Sequence, residues 1–301
     1  MALGQSYWHV SQGIGSQFVP GELAGYFNDM RGKACWTGPT DESGLPVARV
    51  NGTAQHFPTL ILQRGLGNWD RWLQTERSDS SEYEDFARVA RWVLLTQDRR
   101  GGWPLPVVEP SAVSPYSAMI QGQAISVLCR AYLKTQSQQY LRAATRAAEL
   151  MVAPVSQGGT SRLLPAGVIL EENPSEPAIT VLNGWIFALF GLYDLALISS
   201  DSSIHASLSS SVEAVAGLLP TFDAGFWSYY DSAGSFASPF YHRLHVAQLR
   251  AMQVTFPEHS PTFASTADRF EHYLSKVMNS MRAVLKKGRQ KLRNPPTVFV
   301  E

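Results

Sequence analysis

The sequence has little cysteine, no excess of charge of either sign and no long uninterrupted hydrophobic run. Its 301 residues include two cysteines, Cys35 and Cys129, too few for a disulfide framework and without the spacing of metal ligands. We expect both to be buried free thiols. Lys plus Arg and Asp plus Glu number 25 each, and this zero net charge argues against a general nucleic-acid binder.

Segments that would direct the chain to a membrane are also lacking. The longest apolar stretch, residues 181–198, is interrupted by asparagine, glycine and aspartate, so it predicts a buried core helix and no membrane span. The N-terminus lacks the basic segment followed by an apolar segment that is typical of a secretory signal. These two absences predict a cytoplasmic protein.

Short motifs of several enzyme classes are absent as well. There is no phosphate-binding P-loop, no H-E-x-x-H zinc motif and no G-x-S-x-G nucleophile motif. Gly13 and Gly15 begin like a dinucleotide fingerprint, but Phe18 occupies the place of the third glycine. We therefore interpret this segment as a flexible turn.

The apolar residues, 45% of the chain, suffice for a sizeable core, and their pattern divides the sequence into three parts. Residues 1–56 are rich in glycine and proline, which predicts an irregular arm with possible short strands. Residues 57–285 show the 3.6-residue period of helices. Residues 286–301 carry a run of lysine and arginine, which predicts a basic tail that is either solvated or packed against a second subunit.

Eight helices are predicted in the middle part. Ser81 and Glu84 have the spacing of a capping box at the start of the second helix, and Asp201 or Ser202 could cap the sixth. Short turns join consecutive helices into hairpins, and a glycine-containing turn follows each even-numbered helix about every 60 residues. The pattern predicts a mainly α protein in which about four helical hairpins form an α/α toroid, or incomplete barrel.

Three clusters of polar and aromatic residues lie in or beside the loops before odd-numbered helices. They cover residues 116–123, residues 171–174 with Asn183, and residues 227–231 with 241–245. In a toroid these loops would face one cleft. The residues alone leave two interpretations, a functional site or helix caps with core tyrosines.

The same clusters resemble the C-terminal helical domain of the D-glucuronyl C5-epimerase family, the heparosan-N-sulfate-glucuronate 5-epimerases. Each matching stretch is weak alone, but the set keeps its order and spacing over residues 56–280. The stretches are 101–104, 116–126, 130–133, 171–174, 181–184, 191–195, 230–231, 241–242 and 248–249.

The resemblance implies a reaction that inverts C5 of glucuronate within a polysaccharide such as heparosan, the backbone of heparan sulfate, and gives iduronate. Removal of the C5 hydrogen places negative charge on the adjacent carboxylate, which donors or cations must offset. Inversion also needs one acid or base on each face of the ring. No organic cofactor is required. The implied partner is a uronic-acid polysaccharide, and a homodimer is a further expectation.

Carried over residue by residue, the resemblance implies Glu172 and Tyr241 as the two proton-transfer groups. Tyr230 would assist them or bind the substrate carboxylate, and Asn183 would bind substrate. As further substrate-binding residues we expect Trp103, Tyr116, Gln121, Asn173, His242, Arg243 and His245.

Two departures from the family pattern concern the carboxylate. Asn173 stands where the family has a functional tyrosine, and Ala233 where it has an arginine. Arg100, Arg162 and Arg243 are candidates to supply the missing positive charge. The family's metal-binding residues belong to a preceding β-barrel domain, for which this chain has only the short arm, so we expect no metal.

Three functions remain open at this point. An epimerase that acts on a uronic-acid polysaccharide is the first. A uronate polysaccharide lyase would begin with the same abstraction of the C5 proton and then expel the C4 substituent. A glycan-binding module without turnover would keep the cleft and lose the catalysis.

Overall fold

The computed structural model describes residues 9–50, 52–106 and 108–293 and is mainly helical, as predicted. Its helices are α1 Arg31–Ala34, α2 Pro58–Gln74, α3 Ser80–Thr96, α4 Ala118–Thr135, α5 Gln138–Val152, α6 Leu182–Ala196, α7 Ser202–Leu218, α8 Pro239–Thr255, α9 Ser260–Leu274 and α10 Val277–Arg293. Two antiparallel hairpins pair β1 Ala48–Val50 with β2 Thr53–Gln55 and β3 Ser161–Leu164 with β4 Gly167–Leu170.

Capping residues set the starts of two outer helices. The α3 helix begins after Asp79, whose side chain accepts a hydrogen bond from the Ser81 backbone amide over 3.0 Å. The predicted capping box at Ser81 was therefore placed two residues late, because the aspartate already satisfies that amide. Asp201 caps α7 as predicted and accepts from the Ser203 amide over 2.8 Å.

The α6 helix begins at Leu182, inside the apolar stretch 181–198 for which a buried helix was predicted. The residues before it are extended and pair with the loop after α7. The Thr180 carbonyl accepts from the Ser232 amide over 2.9 Å, and the Leu182 amide donates to the Tyr230 carbonyl over 3.2 Å. Because the backbone groups at the start of α6 are used in this way, the pairing fixes the position of Tyr230.

The C-terminal region contains two helices, and the second extends past residue 285, where the helical part was predicted to end. The α9 helix ends at Leu274, and α10 follows it. Residues 286–293 of the expected basic tail belong to α10, where Lys287 Nζ donates to the Phe236 carbonyl over 2.7 Å and Gln290 Nε2 donates to the Gly234 carbonyl over 3.0 Å. Residues 294–301 lie outside the described residues.

The helices pack as four hairpins, as predicted: α2 with α3, α4 with α5, α6 with α7, and α8 with α9. We call α2, α4, α6 and α8 the inner helices, because each packs against the next. The α4 and α6 helices are buried along most of their length, whereas α3 buries one stripe, which is the pattern of an outer amphipathic helix. Closure of the row into a toroid stays a prediction.

The α4 and α6 helices touch through their backbones. A Cβ added at Gly191 would lie 2.2 Å from the Gly122 carbonyl oxygen, and one added at Gly122 would lie 2.5 Å from Ala188 Cα. Glycine at both positions is therefore what allows the two central helices to approach so closely.

The N-terminal arm is pinned to the body by buried polar contacts. Arg130 of α4 donates to the Gly25 carbonyl over 2.9 Å and pairs with Asp194 of α6 over 2.5 Å. Asp70 of α2 accepts from the Tyr26 amide over 2.8 Å. Buried hydrogen bonds thus join the arm directly to α2 and α4, and Arg130 connects it to α6. The division into three segments, with its boundaries, stays a prediction.

The two cysteines are free, and they differ in burial. Cys129 is buried in α4, as expected. Cys35 is exposed, contrary to expectation, because it follows the end of α1 at the surface, whereas Met30 and Lys33 are the buried residues of this segment. Within the described ranges, none of the helices combines the length and apolar character that crossing a bilayer requires.

Replacing Gly191 by alanine is expected to lower the free energy of unfolding by about 1–3 kcal/mol, because the added carbon meets backbone atoms of α4. Denaturant unfolding measures this. Gly217→Ala is the matched control, since nothing lies within 4 Å of a Cβ there, and it should be neutral or stabilising by up to about 1 kcal/mol. Equal stability of the two variants would contradict the backbone contact.

Candidate functional site

A cavity of about 640 Å³ opens where the N-terminal turns of the inner helices meet. Because helix N-termini carry partial positive charge, this convergence favours an anionic ligand. The inner helices and their N-caps contribute Phe57 and Thr59 at α2, Ser117, Met119 and Ile120 at α4, Val181 at α6, and Tyr241 at α8.

The charged side chains of the lining are acidic. Glu109 and Glu172 line the cavity, and its described lining includes no lysine or arginine. In the described lining, helix N-termini and neutral donors are therefore the groups that could hold an anionic ligand.

The Glu172 side chain is the carboxylate with the most unusual surroundings. It follows β4 and packs on the first turn of α6, where a Cβ at Gly184 would lie 2.1 Å from Glu172 Oε2. This oxygen is buried without a hydrogen-bond partner in the described structure. Burial raises the pKa of Glu172 to about 7, so near neutral pH the group can accept or release a proton.

The neighbouring Glu171 has a different role. Its Oε1 accepts from Arg162 Nε over 2.6 Å, and the same guanidinium donates to the Ser175 carbonyl over 2.8 Å. This ion pair braces the loop that carries Glu172. It also uses one of the arginines that the sequence offered for the substrate carboxylate.

Tyr230 and Tyr241 form a pair beside Glu172. Their ring centroids are 4.8 Å apart, and each tyrosine shifts the pKa of the other. Burial, followed by the nearby Glu172, raises the pKa of Tyr241 to about 12, while the hydrogen bond from Tyr230 opposes this rise. Burial also raises the pKa of Tyr230. Both are protonated near neutral pH, and Tyr230 is placed to stabilise a Tyr241 phenolate.

The predicted asparagines lie at and behind the lining. Asn173 is exposed on the cavity. Asn183 is buried in the first turn of α6; its Oδ1 has no partner in the described structure, and its backbone carbonyl accepts from Gln248 Nε2 over 3.0 Å. The structure thus brings Glu172, Asn173 and Tyr241 together at one cavity.

Three predicted substrate contacts brace a loop away from the cavity lining. Trp103 Nε1 donates to the Val93 carbonyl over 3.1 Å, the Tyr116 hydroxyl donates to Asp98 over 2.6 Å, and Gln121 Nε2 lies 3.3 Å from the Gly101 carbonyl. All three are buried. Their hydrogen bonds account for a structural role, and a binding role stays a prediction.

The two histidines of α8 are fully buried behind the site. His242 Nδ1 accepts from the Ser228 amide over 3.1 Å, so its Nε2 donates to the Phe270 carbonyl over 3.0 Å. Burial lowers the pKa of His242 to about 4 and that of His245 to about 3. Both are neutral at pH 7 and neither reaches the cavity lining, so contact with substrate stays a prediction.

The remaining candidate arginines also lie off the lining. Arg243 is exposed and its Nη1 lies 3.3 Å from the Pro239 carbonyl, while Arg100 Nη2 donates to the Gln157 carbonyl over 2.6 Å. In the described ranges no three histidine, cysteine, aspartate or glutamate side chains are grouped to hold a metal ion.

Sequence reasoning missed several lining residues. His9 of the arm lies with its ring centroid 6.2 Å from that of Tyr241, and nothing in the local sequence indicates this approach. Ser117 belongs to the 116–123 cluster that was expected to face the cleft, but it was not among the residues named as substrate contacts.

Comparisons with known proteins show which family the chain is similar to. A family profile described as the D-glucuronyl C5-epimerase C-terminus matches residues 97–272. The chain is 32% identical over 225 residues to the D-glucuronyl C5-epimerase of Caenorhabditis elegans. The aligned residues are 66% of this chain and 36% of that protein. It is 29% identical over 136 residues, 44% of each chain, to an uncharacterized protein of Methanocaldococcus jannaschii. The chain thus matches 36% of the length of the first relative and 44% of the length of the second.

The buried Glu172 carboxyl should make stability depend on pH. Its pKa of about 7 in the folded protein exceeds the ordinary value of 4.5, so its stabilising contribution is complete below 4.5 and is lost as the pH rises through 7. The melting temperature of Glu172→Gln, measured relative to that of wild type, should therefore be higher at pH 8 than at pH 5.

Exposed Glu213 on α7 provides the matched control. Glu213→Gln makes the same chemical change at the surface, so the effect of the Glu172 carboxyl is the difference between the two variants at each pH. A shift for Glu172→Gln that does not change with pH would show that its carboxyl titrates alike in the folded and unfolded states.

Proposed function

Because the chain belongs to the D-glucuronyl C5-epimerase family, we propose that it inverts C5 of glucuronate residues in a heparosan-like polysaccharide by proton transfer on both faces of the ring. The observation that carries the proposal is the shared cavity of Glu172, with a pKa of about 7, and Tyr241, with a pKa of about 12. Near neutral pH, Glu172 is ionised in part of the molecules and can act as a base, and Tyr241 is protonated and can act as an acid.

In the forward direction the ionised Glu172 removes the C5 proton. The electron pair of the C–H bond passes into the adjacent carboxylate, which becomes an enediolate. Tyr241 then gives its hydroxyl proton to C5 from the opposite face and becomes a phenolate, which accepts the hydrogen bond from Tyr230. Return of a proton to Tyr241 and loss of one from Glu172 restore the starting state.

The cavity supports a section of polymer as the ligand. Its volume lies in the range of small-molecule sites, and Asn173 on its exposed side offers an amide donor. Ala233 stands at the position of the family's arginine and offers no charged side chain; its amide donates to Asp231 Oδ1 over 3.0 Å within a turn. The proposed reaction therefore relies on neutral donors at the carboxylate. The cytoplasmic location and the homodimer stay predictions.

Proton NMR of heparosan in deuterated water tests the proposal. Wild type should lose the glucuronate H5 signal as iduronate signals appear. Glu172→Gln and Tyr241→Phe should lower this rate at least about 100-fold, because each removes one of the two proton-transfer groups.

The matched controls are Glu213→Gln and Tyr140→Phe, in outer helices, which should keep the wild-type rate. A vinylic signal in place of iduronate would identify a lyase. No loss of H5 from heparosan or from other glucuronate polymers would leave a glycan-binding module and refute the proposal.

A further inference from the structure

The proposed reaction leaves one requirement unassigned, a site for the carboxylate on which charge develops. The cavity lining in the described structure supplies no lysine or arginine for it. The inference below rests on the proposed function and concerns the neutral groups that could take this role.

The first turn of α4 holds donors that are not used within the protein. Ser117 is the N-cap and is 1% exposed, yet its side chain makes no capping hydrogen bond and its Oγ has no partner in the described structure. The first amides of a helix have no intrahelical acceptor. The Ala118 amide donates to the Glu171 carbonyl over 3.0 Å, so Met119 and Ile120 carry the next amides, and both residues line the cavity.

The other inner helices differ at this position. At α8 the N-cap Ser238 is used, because its side chain accepts from the Tyr241 amide over 3.3 Å. At α2 and α6 the N-caps are Phe57 and Val181, which offer no side-chain donor. Among the inner helices, α4 thus combines an unused hydroxyl with a helix N-terminus at the cavity.

We propose that Ser117 Oγ and the backbone amides of Met119 and Ile120 bind the C5 carboxylate of the uronate. The partial positive charge of the α4 N-terminus stabilises the enediolate as its charge grows. The Ala118–Glu171 hydrogen bond connects this anion site to the residue next to Glu172. It therefore fixes the position of the bound substrate carboxylate relative to Glu172.

Substitutions at Ser117 distinguish a serine that only supports the structure from one that binds the substrate carboxylate. Ser117→Asp separates them, because aspartate is a good N-cap whose side chain can itself accept from the first amides of α4. Its carboxylate would occupy the same amides and repel an anion. Ser137, the N-cap of outer helix α5, also lacks a capping hydrogen bond, and Ser137→Asp is the matched control.

Amide NMR of the full chain titrated with free glucuronate or with glucose provides the direct test. Glucuronate should shift the Met119 and Ile120 signals of wild type and Ser137→Asp, and glucose should leave them in place. Ser117→Ala should weaken glucuronate binding about tenfold through the loss of one hydrogen bond to a charged group, and Ser117→Asp should abolish it. Unshifted Met119 and Ile120 signals, or wild-type affinity in Ser117→Asp, would overturn the anion site.

Turnover separates this inference from the proposed function. Ser117→Ala should lower kcat for heparosan about 100-fold, as expected for a donor to a developing oxyanion, and Ser137→Ala should not. If the glucuronate titration succeeds and no polymer is epimerised, the anion site stands and the proposed function fails.

Discussion

The α4 and α6 backbones touch at Gly122 and Gly191, and the geometry of the cavity depends on this contact. It sets the two central helices side by side with their first turns at the same cavity. The segment after β4 lies between those turns, joined to α4 by the Ala118–Glu171 hydrogen bond and packed on α6 at Gly184. Small residues in the helices therefore determine where the Glu172 carboxylate lies.

Electrostatics in the cavity are arranged without positive side chains in its described lining. Glu172 Oε2 is buried without a hydrogen-bond partner in the described structure, and burial raises the pKa of this carboxyl to about 7. Its negative charge in turn contributes to the high pKa values of Tyr230 and Tyr241. One ionised base beside two protonated tyrosines is the arrangement that a two-sided proton transfer needs. The helix N-termini would provide the compensating potential for the anionic substrate that we propose.

The helical repeat was predictable because apolar spacing reports on burial, and the four hairpins followed from it. Glu172 and Tyr241 were identified through resemblance, and the structure brings them to one cavity. Trp103, Tyr116 and Gln121 belong to the same matching stretches, yet their hydrogen bonds brace a loop. Sequence similarity does not separate residues that hold a site in shape from residues that touch a ligand.

Other features depended on contacts between distant parts of the chain. The basic run after residue 285 was interpreted as a tail, but Lys287 and Gln290 reach the carbonyls of Phe236 and Gly234. His9 approaches Tyr241 from the far end of the sequence. Such pairings arise from the packed fold, and local periodicity carries no information about them.

Deuterium placement during the first turnovers on heparosan in deuterated water tests the central claim, that two groups on opposite faces exchange the C5 proton. The account predicts deuterium at C5 of newly formed iduronate, while unreacted glucuronate keeps its hydrogen, because Tyr241 delivers a solvent-derived proton after Glu172 has removed the original one. Iduronate that retains the original hydrogen would show that a single group moves the proton between the faces, and it would contradict the account.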